Sequence, residues 1–256
     1  MTTRDPQAMA LARLAGLIAD ETRAMCLLAL LDGRAWTASE LARHAGVAAS
    51  TLSEHLGRLV AGGLLTEERQ GRHRYVRLAD ARVAHLVEDL AAQVAPADRA
   101  ARPRNLRQSS ADSAMARGRT CYDHLAGRLG IAVTDALTAR GLLQQETGFA
   151  LTDAGLAWFE AVGISLERRG RRPLARACLD WTERRPHLAG VAGAALCRHA
   201  LDAGWCVRVG SARAVKVTAA GERALFDLLG VDAAALRLEV SGAPSENREL
   251  TTLSPP

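Results

Sequence analysis

Apolar residues recur at helical spacing over residues 8–19, where Met9, Leu11, Leu14, Leu17 and Ile18 share a face. Asp20 predicts the cap of a second helix, running through TRAMCLLALL to a stop at Asp32-Gly33. Next, Thr37-Ala-Ser-Glu40 has capping-box spacing and opens a short helix, ELARHA, closed by Gly46. A longer helix through STLSEHLGRLVA keeps Leu52, Leu56 and Leu59 inward and ends at Gly62-Gly63. The period then changes. LLTEER and YVRLA read as strands on either side of the polar tip QGRHR, and Asp80 caps a last helix, ARVAHLVEDLAAQVA, that stops before Pro96.

Helix, helix, short helix, tight turn, helix, hairpin, helix is the order of a winged helix-turn-helix. Such a unit lays the helix containing Ser50–Leu59 in the major groove of double-stranded DNA, with its first turn toward base edges. Ser50, Thr51, Ser53, Glu54, His55 and Arg58 fall outside or partly outside the apolar face. Arg72, His73 and Arg74 form a wing tip that can reach the flanking backbone. The chain carries 33 Lys+Arg against 28 Asp+Glu, a net +5 that permits an anionic partner. Position matters more than the total. Residues 1–95 are neutral overall, yet Arg69, Arg72, Arg74 and Arg77 follow one another with no acid between them, as a phosphate contact requires.

Four motifs in this stretch carry a resemblance: Leu41-Ala-x4-Val47, Ser50-Thr-Leu-Ser-Glu-His-Leu56, Ala61-Gly-Gly-Leu-Leu65 and Gly71-Arg-His-Arg-Tyr-Val-Arg-Leu78. Together they make residues 10–95 similar to the ArsR/SmtB family of winged helix-turn-helix regulators. The resemblance implies a cytoplasmic homodimer, joined through the first and last helices of the domain, that represses at a DNA operator until an effector releases it. Two positions depart from the family pattern. Ala48 and Ala49 stand where many relatives carry polar residues, and Glu54 places a negative charge near phosphate, where it can read a cytosine amino group or bond internally. Many relatives bind a metal through cysteines in the first short helix or through Asp, His and Glu on the last helix. Here ELARHA has no Cys, and the last helix offers only the half-site His85-x-x-Glu88.

Beyond the domain at 1–95, residues 96–112 read as a linker, 113–235 as a tandem-repeat sensor domain and 236–256 as a disordered polar tail. The repeat rests on His124-Leu-Ala-Gly127, which returns 63 residues later as His187-Leu-Ala-Gly190, and on Leu151-Thr-Asp-Ala-Gly155 answered by Val217-Thr-Ala-Ala-Gly221. Each copy is expected to run helix, helix, strand, turn, strand, helix. The fold class is therefore mainly α with small β-hairpin wings: a winged helix-turn-helix followed by two degenerate winged-helix-like repeats. Arg119-Thr-Cys-Tyr-Asp-His-Leu-Ala-Gly127 and Cys178-Leu-Asp-Trp-Thr-Glu-Arg-Arg-Pro-His-Leu-Ala-Gly190 resemble the marks of a longer type of ArsR-like regulator.

Composition narrows the chemistry. Nearly half the residues are apolar, 48%, but only 4% are aromatic, so Leu, Ala and Val must fill the core. No apolar run is long enough to span a bilayer, and the start MTTRDPQAMA carries an acid and no apolar stretch, so neither a membrane span nor a secretory signal is expected. The 5 cysteines form no CxxC pair and suit reduced thiols. No nucleophile elbow, P-loop, dinucleotide fingerprint or zincin motif is present, and an enzyme is not expected. Cys121, His124 and Cys178 are the candidate effector ligands, a soft set for Zn, Cd or Pb if the two copies converge. Other readings stay open: packing alone, a thiol redox switch with Arg119 and Arg176 lowering a thiolate pKa, or an anionic aromatic small molecule. That molecule would lie among Tyr122, Trp158, Phe159, Trp181, Trp205 and the arginines between Arg168 and Arg185. Cys197, His199 and Cys206 are explained by packing, and a protein–protein adaptor on the same scaffold is the alternative to a DNA-bound regulator.

Overall fold

The computed structural model describes residues 5–70, 73–94, 113–146, 148–167, 171–210, 213–232, 234 and 236; the expected linker, all of the expected tail after 236, Arg72, Arg168 and Arg169 lie outside them. Helix α1 (Pro6–Ile18) starts where Asp5 accepts from the Gln7 amide and proline fills the first turn. Asp20 caps α2 (Glu21–Ala29) through the Arg23 amide. The buried Arg23 side chain then returns to the carbonyls of Leu17 (2.6 Å) and Gly16 (2.9 Å), satisfying the end of α1. Thr37 and Glu40 form the expected capping box at α3 (Ala38–Ala45), and Gly46 ends that helix with φ 70°. Helix α4 (Ala49–Ala61) buries Leu52, Leu56 and Leu59. Strands β2 (Leu65–Gln70) and β3 (His73–Leu78) make the wing, and Asp80 caps α5 (Ala81–Gln93). One strand lies outside the sequence expectation: β1 (Trp36–Thr37) pairs antiparallel with β3, giving a sheet of order β1-β3-β2.

Two stretches with the same element order follow. The first runs β4 (Arg119–Cys121), β5 (His124–Ala126), α6 (Gly127–Ala139), β6 (Leu143–Gln144), β7 (Ala150–Leu151), α7 (Asp153–Ala161). The second runs β8 (Arg176–Leu179), β9 (Pro186–Ala189), α8 (Gly190–Asp202), β10 (Cys206–Arg208), β11 (Val215–Val217), α9 (Ala219–Leu229). In each, a β-hairpin stands directly before the long helix, an element the expected order lacks, and residues 113–117 ahead of the first hairpin are helical. The residues from Arg119 and from Arg176 are strands because each finds a partner across a turn, a tertiary choice that weak local propensity left undecided.

The halves pack crosswise. Helix α8 lies on β5 of the first stretch, α6 lies on β9 of the second, and β5 meets β9. Glycine lets each long helix sit close on its own hairpin. A Cβ on Gly130 would sit 2.4 Å from the Leu125 carbonyl oxygen, and one on Gly193 would sit 2.4 Å from that of Leu188. A mid-helix glycine costs about 0.5–1 kcal/mol relative to alanine; here it lets each helix press onto the strand before it. One core joins these elements through Leu129, Leu137, Phe159, Leu188, Leu196 and Leu225. A separate core fills the first domain, and Trp181 from the tail packs against it. Among the described residues, no helix is long and apolar enough to cross a membrane.

Candidate metal centre and nucleic-acid interface

In both tail hairpins a cysteine stands directly opposite a histidine. The register pairs Cys121 with His124 and Cys178 with His187. Directly opposed residues project from the same face of a ladder, so each hairpin offers one thiol and one imidazole side by side. Because the halves pack crosswise, the two pairs meet. Cys121 Sγ lies 3.9 Å from Cys178 Sγ, and His124 Nε2 lies 3.1 Å from His187 Nε2. All four ligand atoms fall within 4.8 Å of one another, and no member is more than 5% exposed. A tetrahedral zinc with Zn–S near 2.3 Å and Zn–N near 2.0 Å sets its donors about 3.8 Å (S···S) and about 3.3 Å (N···N) apart. The donor set and its spacing fit such an ion.

Sequence reasoning placed Cys121, His124 and Cys178 together and missed His187. Its signal was the 63-residue repeat, which carries His124 onto His187. Behind His124 stands a carboxylate, Asp123 Oδ1 at 3.3 Å from Nδ1, whereas His187 Nδ1, 3.7 Å from Asp180 Oδ2, is buried with no hydrogen-bond partner among the described residues. A carboxylate on the far nitrogen turns the other nitrogen inward as a ligand. Burial pulls the His124 pKa down, but Asp123 and Cys121 outweigh it and hold the imidazole above its usual value. The Cys121 thiol is pushed up, first by its contact with Cys178 and then by burial.

Among the described residues, the remaining candidates for effector chemistry do not gather at one site. Phe159 and Trp205 are core residues, Tyr122 is exposed at a hairpin turn with φ 58°, and Trp181 stacks on Arg119. Burial pushes Cys197 and Cys206 up to about 12, as inert packed thiols.

On α4, Ser50, Thr51, Ser53, Glu54 and Arg58 are exposed, as an outward helix face requires. Arg58 is paired with Glu54 at 2.6 Å, so Glu54 bonds within its own helix. His55 is half-buried, its Nδ1 3.4 Å from Asp20 at the start of α2. Arg74 pairs with Glu67 across the wing and reaches Ser53 Oγ at 3.5 Å, joining wing to helix. His73 opens β3 opposite Gln70.

A helix-turn-helix domain family matches residues 18–68. The HTH-type transcriptional regulator YdfF of Bacillus subtilis (strain 168) is 39% identical over 224 residues, covering 86% of this chain and 97% of YdfF. The chain belongs to the HTH-type transcriptional regulators. The match to YdfF is too long to be confined to the first domain and runs well into the tail. The HTH-type transcriptional regulator CmtR of Mycobacterium tuberculosis (strain ATCC 25618 / H37Rv) is 38% identical over 98 residues, 38% of this chain and 82% of CmtR. Among solved structures, that of the cadmium metal-sensor CMTR from Mycobacterium tuberculosis is 33% identical, covers 37% of this chain and 99% of its own, and has a TM-score of 0.29.

In this HTH-type regulator the centre is wired to α5 of the first domain. Asp180, fully buried, receives both Nη2 contacts of Arg119 at 3.0 Å, the Gly127 amide at 2.7 Å and the Thr182 amide at 2.9 Å. Arg119 in turn donates through Nε to Glu88 of α5 at 3.2 Å. Arg213 also donates to Glu88 (2.7 Å) and reaches the Leu31 carbonyl (3.0 Å), and Trp181 Nε1 donates to Glu88 at 3.0 Å. Burial alone would raise the Glu88 and Asp180 pKa values; Arg213 and Arg119 beside Glu88, and Arg119 beside Asp180, bring both below the usual carboxylate range.

Proposed function

We propose that this regulator is an ArsR-like repressor that binds operator DNA as a homodimer and responds to a soft divalent ion held by Cys121, His124, Cys178 and His187. The observation that carries the reading is the convergence of four buried soft donors from two separate hairpins within 4.8 Å. Two thiolates and two imidazoles favour Zn or Cd over Mg or Ca. A second copy would cover α1, none of whose residues is buried by the described chain, with Met9, Leu11, Leu90 and Val94 left exposed.

The same two sulfurs can join as a disulfide, but the two buried imidazoles that converge with them are donors a metal needs and a dithiol switch does not. That favours metal over redox sensing. The test is a mobility shift on the DNA upstream of the chain's own coding sequence, with chelated and with Zn- or Cd-loaded protein. The expected result is a salt-sensitive complex weakened about 5–150-fold by the ion, with Cys178→Ser binding DNA but not responding. Equal affinity with and without the ion sinks the sensor; no complex at micromolar protein sinks DNA binding and leaves the adaptor reading.

A further inference from the structure

Just before β11, Arg213 grips the strand that carries Cys121. The backbone at 213–215 runs antiparallel to the start of β4: the Thr120 amide donates to the Arg213 carbonyl (2.8 Å), the Val215 amide donates to that of Gly118 (2.9 Å), and Ala214 bridges to Arg119. The guanidinium then turns back on β4, donating through Nε (3.2 Å) and Nη2 (3.0 Å) to the Thr120 carbonyl. Thr120 is thus held by both its amide and its carbonyl, and the next residue is Cys121. The rest of the fork enters the first domain. Nη1 donates to the Leu31 carbonyl at 3.0 Å, and Nη2 to Glu88 Oε1 at 2.7 Å. Leu31 lies in the 3-10 turn Leu30–Asp32 that follows α2, and α2 and α3 both pack on α4. Gly33, with φ 78°, leaves the room: a Cβ there would sit 3.0 Å from Arg213 Cγ.

We propose that Arg213 is a positioning residue that couples the two activities of this regulator, carrying the effect of an ion at Cys121 to the helices that seat α4 on DNA. The role rests on the sensor reading above. Arg119 also donates to Glu88, but Arg213 goes on from α5 to Leu31, between α2 and α3. A planar guanidinium keeps its donors in a rigid fork, so acceptors from three segments cannot shift independently while all of them are bound. A lysine offers a single nitrogen in place of the three that bond here. An ion that ties Cys121 to the facing hairpin restrains the end of β4, and Arg213 hands that restraint to the turn after α2. An effector changes DNA affinity only through such a difference in contacts between the two states.

The test measures both affinities of reduced full-length protein. Zn2+ binding is read by chelator competition with and without DNA from upstream of the chain's own coding sequence, and DNA binding by fluorescence anisotropy with and without Zn2+. Coupling between two ligands is reciprocal, so in the wild type each should weaken the other by one factor of about 5–150-fold. Arg213→Lys keeps a positive charge beside Glu88 and is the main variant; Arg213→Met is run beside it. Both are expected to bind Zn2+, and in its absence DNA, as the wild type does, while the coupling factor falls to near unity. A merely structural role would move stability or one affinity and leave the factor in place. A wild-type factor in either variant overturns the proposal. So does loss of Zn2+ binding, of DNA binding or of folding in both, since Arg213 is then part of the frame and not the link. Zn2+ that does not bind the wild type, or binds it without changing DNA affinity, overturns the sensor reading and with it the role of Arg213.

Discussion

The two tail hairpins hold the same pair of donors and surround them differently. In β4–β5 a two-residue turn separates Cys121 from His124, and the supporting Asp123 is half-buried and tied to Arg172 by contacts of 2.5 and 2.9 Å. In β8–β9 the connection between Cys178 and His187 is longer, and its Asp180 is fully buried, bonded to Arg119 and through it to Glu88 of α5. One carboxylate is anchored within the tail, the other to the DNA-binding domain. Equal ligands thus sit on unequal mounts, and the carboxylate of the second is the one tied through Arg119 to the helix next to the reading unit.

The largest expected effect breaks that second mount. Arg119→Ala leaves Asp180 and Glu88 without their shared cation in the interior and should destabilise the fold by about 3–5 kcal/mol. Arg172→Ala, at a partly exposed pair, should cost about 1 kcal/mol or less. Urea unfolding of the two variants side by side measures the contrast, and equal losses would erase it. A smaller effect belongs to the first mount. Asp123→Asn should lower metal affinity by about 10–100-fold with little change in stability; competition with a chelator reads the first quantity and thermal melting the second.

The smallest effect is in acid. Asp180 and Glu88 have folded pKa values below their ordinary ones, so their stabilisation is complete above the unfolded carboxylate range near pH 4 and is lost as pH falls below it. Stability should not fall between neutrality and about pH 5, where the raised His124 pKa adds to it, and should decline below that. The decline should be shallower in Arg119→Ala, where the Asp180 carboxyl is no longer held down. Parallel acid profiles would show that Arg119 is not what sets the shift.

The first domain was legible because its signals are local. Asp20, Thr37 with Glu40, Gly46 and Asp80 mark helix ends within a few residues, and Leu52, Leu56 and Leu59 mark a face. Strand β1 was not, since Trp36 and Thr37 become a strand only by pairing with Val76 and Tyr75. The tail motifs drew attention to Cys121 and Cys178, but not to the hairpins that carry them. Three-residue strands are too short to show alternation, so the hairpins leave no period of their own in the sequence, and His187 enters there only as the repeat of His124. The network through Glu88, Arg119 and Asp180 had no local signature at all, its members being 31 and 61 residues apart. His85 was read as half of a site absent from α5; its nearest soft neighbour is Cys121, on a different domain.

The crosswise packing bears on time as well as affinity. An ion among four donors that are at most 5% exposed can leave only when the two hairpins part, and each hairpin is pinned by the helix of the other half. Release then requires a sub-global opening of the tail, an event far rarer than the motion of a loop. A regulator that bound its ion here would keep a long residence on its signal and report that metal had been present, rather than follow its concentration from moment to moment.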